Sequence, residues 1–204
     1  MAAPKVIREE YEIVAYPKLH HVRAGIVQIV NRNTHIHQAL ELILVLAGSA
    51  TIHIGGKPFP VKKGSVFFFN TNEPHEILAD DQSGVRIAYL QVSSAFCREY
   101  LNCFRNMELL KNDLSGFLPA DQLAELTRIM LDTLEDYMFA DEGDLHALQG
   151  ICNICQLYAK LLTWIPYRQI SESAYLSRNK KMARLSRITE YINNPTNYIA
   201  KFSY

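Results

Sequence analysis

Three histidines and one glutamate are the residues of this sequence whose types and spacing could do chemistry together. His35, His37 and Glu41 lie within HIHQALELILVLAG, and His75 follows in NEPHEIL. Alternate residues of a β-strand point to the same face, so the first three would share one side of a strand. Imidazole nitrogens and a carboxylate that converge on one space suit a divalent transition metal such as Zn, Ni, Fe or Mn. His75 would supply the fourth ligand.

The same side chains also allow structural interpretations. The histidines could be interior residues held by hydrogen bonds, and Glu41 could pair with one of them. A buried carboxylate without a partner is costly, so Glu41 needs a metal, a histidine or a ligand. Phe67 and Phe69 would face one side of their strand, where they either pack in the core or line a ligand site.

Short strands must position these residues. From about residue 10 to about residue 93, turn residues separate segments rich in β-branched and aromatic side chains: YEIVAY, GIVQIV, LELILVL, ATIHI, SVFFF, HEILA and RIAYLQV. Within HIGGKPF, Gly55 and Gly56 can take the positive φ angles of a two-residue hairpin turn. Many short strands at regular spacing predict a β-barrel or sandwich.

After about residue 94 the apolar spacing becomes helical. Pro119 and Asp121 begin one predicted helix, and Asp144 begins a second that ends at Pro166. The second helix is apolar on two flanks, so it must be buried on more than one side. Antiparallel packing on the first helix or contact with a second subunit would each cover it. In the dimer we expect Leu157 and Leu161 to lie in the subunit contact.

The composition fits an ordinary globular protein, with 49% hydrophobic and 21% charged residues. The formal net charge is 0, but the chain from Pro166 onward carries seven basic and two acidic residues, a net of +5. A basic end suggests an appended function there. The sequence shows no secretory signal and no run of apolar residues long enough for a membrane span. We therefore expect a cytoplasmic protein whose four cysteines are reduced thiols.

Two motifs carry a family resemblance. The segment at 35–48 resembles the first cupin motif, with both histidines, the glutamate and the closing glycine in place. Gly64 and His75 keep the spacing of the second motif, although Asn70 and Asn72 replace its proline and glycine. In cupins the three histidines and the glutamate ligate a metal.

A longer stretch, ELILVLAGSATIHIGGKPFPVKKGSVFFFNTNEPHEI, resembles the sensor domain of AraC-type transcription regulators. The resemblance implies an α+β fold: a cupin-like β-barrel for effector binding at 1–105 and a helical dimerisation region at 106–166. Residues 167–204 would form a linker and the first helix of a helix-turn-helix DNA-binding domain that is mostly absent.

The implied function is effector sensing by a regulator with no enzymatic activity. A small molecule would bind in the barrel and control DNA binding, with contacts from His35, His37, Glu41, His75, Phe67 and Phe69. The implied partners are a second copy of the chain and DNA, the latter only through the missing C-terminal domain, with no membrane. Pockets of AraC-type sensors often take an organic molecule without a metal, so metal binding stays open. The alternative is a cupin metalloenzyme of dioxygenase or isomerase type.

Overall fold

The computed structural model describes residues 10–96, 107–177, Lys180 and Arg184. In chain order the first strands are β1 (Glu10–Tyr11), β2 (Val22–Ile29), β3 (Asn31–Ile36), β4 (Ala39–Ala47), β5 (Ser49–Ile54), β6 (Lys57–Lys62), β7 (Val66–Phe69), β8 (His75–Ala79) and β9 (Val85–Ser93). They are followed by β10 (Met107–Leu109), α1 (Ala120–Phe139), a 3₁₀ turn (Ala140–Glu142), α2 (Asp144–Trp164) and β11 (Tyr167–Gln169).

The strands form two main sheets. One has five strands in the order β1-β3-β8-β5-β6, and the other has four in the order β2-β9-β4-β7. The expected cupin-like fold is confirmed in the form of a β-sandwich. A closed barrel is not confirmed, because no hydrogen-bonded ladder joins the two sheets within the described residues.

Alternation along the strands creates two cores. In β4, Ile43 and Val45 point into an inner core between the sheets, whereas Leu42 and Leu44 point into an outer core that includes the helices. In β7, the predicted alternation is confirmed, since Phe67 and Phe69 lie in the inner core and Phe68 in the outer one. Strands buried on both faces explain why β4 and β7 read as continuous apolar runs.

Both predicted helices are present, and they pack on each other. The assignment of subunit contacts within α2 was wrong, however. Leu157 and Leu161 are 1% and 0% exposed within the single chain. Leu145 and Leu148, on the other apolar flank, are 73% and 58% exposed. The sequence shows two apolar flanks, but only the packing of the sheet and of α1 decides which one is covered.

Three further expectations can be compared with the structure. The segment YEIVAY forms a strand only at its first residue, in β1, because 12–16 has no regular structure. Gly55 and Gly56 have φ angles of 57° and 77°, as the hairpin turn requires. The expected linker begins as β11, which pairs antiparallel with β10.

Of the expected C-terminal helix, the structure describes Arg184, and the other residues lie outside the described part of the chain. Cys97 and Cys103 also lie outside it. The described cysteines, Cys152 and Cys155, are free thiols. None of the helices in the described ranges is long and apolar enough to cross a membrane.

Candidate functional site

The predicted histidine strand is broken in the middle. The chain leaves β3 after Ile36 and enters β4 at Ala39, so His35 belongs to the five-stranded sheet and Glu41 to the four-stranded one. His37 lies in the connection between them. The expectation that all three residues share one strand face was therefore wrong. They converge because the connection crosses from one sheet to the other.

His75 joins the group through strand pairing. It is the first residue of β8 and lies directly opposite His35 in the antiparallel register of β3 and β8. Its ring stacks on Phe69, with centroids 4.0 Å apart and an angle of 15° between the planes. Phe69 in turn lies opposite Glu41 in the pairing of β4 and β7. Pairing across both sheets thus fixes the group from two sides.

The four predicted ligand residues form one buried cluster. The exposed fractions of His35, His37, Glu41 and His75 are 4%, 1%, 6% and 1%. Each offers one nitrogen or oxygen donor, and these atoms all lie within 4.8 Å of one another. Neighbouring ligand atoms of a tetrahedral zinc ion are roughly 3.4 Å apart, so the most distant donors would have to move closer before all four could bind one ion.

The rings are oriented by the backbone. The Nδ1 atoms of His35, His37 and His75 lie 3.0, 3.1 and 2.9 Å from the carbonyl oxygens of Asn33, Ala39 and Glu73. A carbonyl oxygen can only accept, so each Nδ1 carries a proton and donates it. The Nε2 atoms are then the ones directed toward the common centre. A second ring nitrogen held by a carbonyl group is the usual support of a metal-binding histidine.

Glu41 and His37 form the strongest contact in the cluster. The His37 Nε2 to Glu41 Oε2 distance is 2.7 Å, and the Gln91 Nε2 donates to the same oxygen at 3.1 Å. Burial opposes charge on Glu41, but the hydrogen bond from His37 and the more distant contact with His75 outweigh burial and hold its pKa well below the usual value. Burial also opposes charge on His37, but its hydrogen bond with Glu41 and the charge of that carboxylate raise its pKa. Without a metal, the pair is therefore an imidazolium and a carboxylate.

The other two histidines differ from His37 in their surroundings. Burial, together with repulsion from His75 and Arg32, lowers the pKa of His35 to about 3, so this ring is neutral. The Nε2 of His75 is buried and has no hydrogen-bond partner among the described residues. Its closest charged atom is the Glu41 Oε2 at 3.7 Å, too far for a hydrogen bond. A buried, unpartnered nitrogen beside a carboxylate fits a transition metal, because coordination would satisfy it.

A cavity of about 380 Å³ adjoins the cluster. His35 and Glu41 form part of its wall, so the two predicted ligands connect the metal-type donors to open space. The other lining residues are Glu12, Arg23, Ile26, Val27, Ile29, Arg32, Ile77, Ile87, Tyr89 and Gln91. This volume falls within the range of small-molecule sites.

The phenylalanines lie behind this cavity and do not border it. Phe69 contacts the cluster through His75, and Phe67 packs edge-on against Phe59 with centroids 5.7 Å apart. Direct contact between Phe67 or Phe69 and a ligand stays a prediction. Their observed place is the inner core.

The charged residues Glu12, Arg23 and Arg32, which line the cavity, were not predicted from the sequence. Glu12 accepts hydrogen bonds from Arg23 at 3.2 Å and from Arg32 at 2.8 Å. The Arg23 guanidinium carbon also lies 5.6 Å from the centroid of the Tyr89 ring. Alternation along β2 does place Arg23 on the face opposite Val22. Only the pairing of β2 with β9 shows that this face borders the cavity.

The model of the AraC-like ligand-binding domain matches residues 23–142. This chain belongs to the AraC-like ligand-binding domain family. The matched range includes all four cluster residues, β3 to β10 and every residue that lines the cavity except Glu12. No curated protein matches the chain.

Solved structures resemble part of this chain. The cupin domain of Schizosaccharomyces pombe Cnp3 is 16% identical, with a TM-score of 0.37 over 42% of this chain and 65% of that one. An RmlC-like cupin from Shewanella frigidimarina is 17% identical, with a TM-score of 0.32 over 36% of this chain and 68% of that one. The DMSP lyase DddQ from Ruegeria pomeroyi is 23% identical, with a TM-score of 0.33 over 36% of this chain and 39% of that one.

Proposed function

We propose that this chain is the effector-sensing and dimerisation part of an AraC-type transcription regulator. A small molecule binds in the cavity beside the cluster of His35, His37, Glu41 and His75. Its binding controls the attachment to DNA of a helix-turn-helix domain that follows the chain. The observation that carries the proposal is a cavity bordered by the buried His35 and Glu41 in a chain of the AraC-like ligand-binding domain family.

The position of the cavity supports a sensing role. A cavity between two sheets can change the spacing of those sheets when a ligand fills it, and the outer face of the four-stranded sheet packs on the helices. The basic segment from Pro166 onward has a net charge of +5, which suits a chain that approaches nucleic acid. Ligand binding and DNA attachment would then be coupled through the helices and β11.

A metal fits the cluster as a structural or ligand-holding ion. His35, His37 and His75 would bind it through Nε2 and Glu41 through a carboxylate oxygen. When bound, such an ion would act as a Lewis acid able to hold an oxygen atom of the effector. The protein's own part is to keep the imidazoles aligned through the three backbone carbonyls and to exclude water from the buried donors.

The regulator proposal can be tested in the organism that encodes the chain. We expect chromatin immunoprecipitation of the epitope-tagged gene product to recover a small number of promoters. A strain with His35→Ala, which changes the cavity wall without breaking the pair of His37 and Glu41, should lose the dependence of that recovery on growth conditions. Arg86→Gln, on the exposed side of β9 away from the cavity, is the matched control. Recovery no greater than from an untagged strain would contradict the proposal.

The second candidate is a cupin metalloenzyme, which the unpartnered Nε2 of His75 favours. A metal held by three imidazoles and a carboxylate beside a cavity could serve catalysis as well as sensing. Turnover of an added substrate by iron- or manganese-loaded protein, lost in His75→Ala, together with no promoter recovery, would favour this enzyme.

The homodimer belongs to the same proposal. Leu145 and Leu148 on α2 and Met138 on α1 are 73%, 58% and 57% exposed. Leu145 and Leu148 are three residues apart and share one face of α2, and exposed apolar side chains that form a patch commonly mark a protein contact. A second copy of the chain would cover them through a twofold axis, as in most homodimers.

A further inference from the structure

One carboxylate already occupies the charged part of the cavity. Glu12 lies between two arginines, 3.2 Å from an Arg23 nitrogen and 2.8 Å from an Arg32 nitrogen. Its Oε2 atom is also 3.9 Å from the Nε2 of His35. The side chains of Glu12, Arg23 and Arg32 are 21%, 36% and 35% exposed, so they are partly withdrawn from water.

The charges along the cavity wall favour an anion. In this part of the cavity the guanidinium groups of Arg23 and Arg32 both contact the single carboxylate of Glu12. Glu10 also reaches Arg32, at 3.4 Å, but its side chain is 53% exposed, and water weakens such a pair. Planar guanidinium groups bind carboxylates with good geometry, and Glu12 shows that a carboxylate fits between these two.

The rest of the wall is hydrocarbon. Ile77 and Ile87 are 3% and 2% exposed and come from opposite sheets, and Ile26, Val27 and Ile29 extend this surface toward the opening. A ligand that matches the wall therefore has one charged end and an apolar body. The cavity of about 380 Å³ limits this body to a small molecule.

We propose that the effector is a small organic carboxylate with an apolar body, whose carboxylate takes the place of Glu12 between Arg23 and Arg32. The proposal rests on the proposed sensing function and names the chemical class of its ligand. Glu12 is then a competitor built into the chain. The ligand must displace this carboxylate before it can pair with the arginines.

Matched probes can separate the carboxylate from the apolar body. We would measure the melting temperature of the full chain with hexanoate, benzoate and 4-hydroxybenzoate, and with the primary amide of each. Carboxylates are expected to raise it by about 5–10 °C at a concentration about 100 times the dissociation constant. The amides should raise it far less, because they lack the charge.

Two substitutions should act in opposite directions on the dissociation constant of the best carboxylate. Arg23→Gln should weaken binding by about tenfold, because a charge-assisted contact is lost. Glu12→Gln should strengthen binding several-fold, because the competing charge disappears while the side chain keeps its size. Arg86→Gln removes an exposed arginine from the same sheet and should change binding by less than twofold.

The two variants are expected to change the dissociation constant in opposite directions. A general loss of folding would weaken binding in both, so it cannot produce this result. A purely structural Glu12 would give weaker binding when substituted, and that result would overturn the proposal. Amides that bind as tightly as their acids would also overturn it, as would a panel in which no carboxylate binds. The regulator function would survive all three results, because it depends on promoter recovery and not on the ligand's charge.

Discussion

Breaking the buried pair of His37 and Glu41 is expected to destabilise the metal-free protein strongly. His37→Ala leaves the Glu41 carboxylate, 6% exposed, with Gln91 as its remaining hydrogen-bond donor at 3.1 Å. Removal of one member of a buried ion pair costs about 3–5 kcal/mol in free energy of unfolding, because the other charge stays buried. The space left by the ring adds to this cost. A double-mutant cycle with Glu41→Gln separates the two contributions, and we expect a coupling of about 2 kcal/mol.

The coupling should depend on pH in a defined way. The pKa of His37 is raised, so its contribution is complete below the usual 6.5 and is lost as the pH rises through the raised value. The pKa of Glu41 is lowered, so its contribution is complete above the usual 4.5 and is lost as the pH falls through the lowered value. The coupling is therefore largest between these two pH values and declines on both sides.

Urea unfolding of the wild type, both single variants and the double variant, with a chelator present, measures this coupling. We would repeat the cycle at about pH 5.5 and about pH 9. A coupling below about 0.5 kcal/mol at the lower pH would refute the ion pair. A coupling that grows toward the higher pH would refute the assigned charge on His37.

Three further predictions concern the metal, the support of the site and the dimer. Zinc should raise the melting temperature more at pH 8 than at pH 6, because protons compete for the imidazoles, and His75→Ala should weaken zinc binding about hundredfold; an unchanged affinity by calorimetry would argue against the cluster. Asn70 accepts from the Leu109 N–H at 2.9 Å and donates to its carbonyl at 3.1 Å. Asn70→Ala should therefore lower the free energy of unfolding by about 2 kcal/mol. A decrease of less than about 0.5 kcal/mol, measured by urea unfolding, would contradict this prediction. Joint replacement of Leu145 and Leu148 by Glu should give a folded monomer in sedimentation. A wild type that is already monomeric at micromolar concentration would contradict the proposed dimer.

The sequence alone identifies the four donors of the cluster because motif spacing is local. His35, His37 and Glu41 lie within seven residues, and the glycine and asparagines before His75 preserve its distance along the chain. The same locality explains why their placement on one strand was wrong. No proline or glycine marks the break between β3 and β4, and an apolar pattern does not show where a strand changes sheets.

The charged wall of the cavity could not be predicted, because it depends on contacts distant in sequence. Glu12 meets Arg23 and Arg32 only after β1 pairs with β3 and β2 pairs with β9. In the sequence all three look like ordinary surface charges. Likewise, the two flanks of α2 are equally apolar, and only packing on the sheet and α1 selects Leu157 for the core and leaves Leu145 outside.

The location of a bound ligand tests the central claim most directly. Methyl NMR of isoleucine-labelled protein would report where the carboxylate probes bind. We expect the largest changes at Ile77 and Ile87, which line the cavity from opposite sheets, and little change at Ile154, which lies in the outer core. Changes centred on Ile154, or equal changes at all three, would contradict the assignment of this cavity as the effector site.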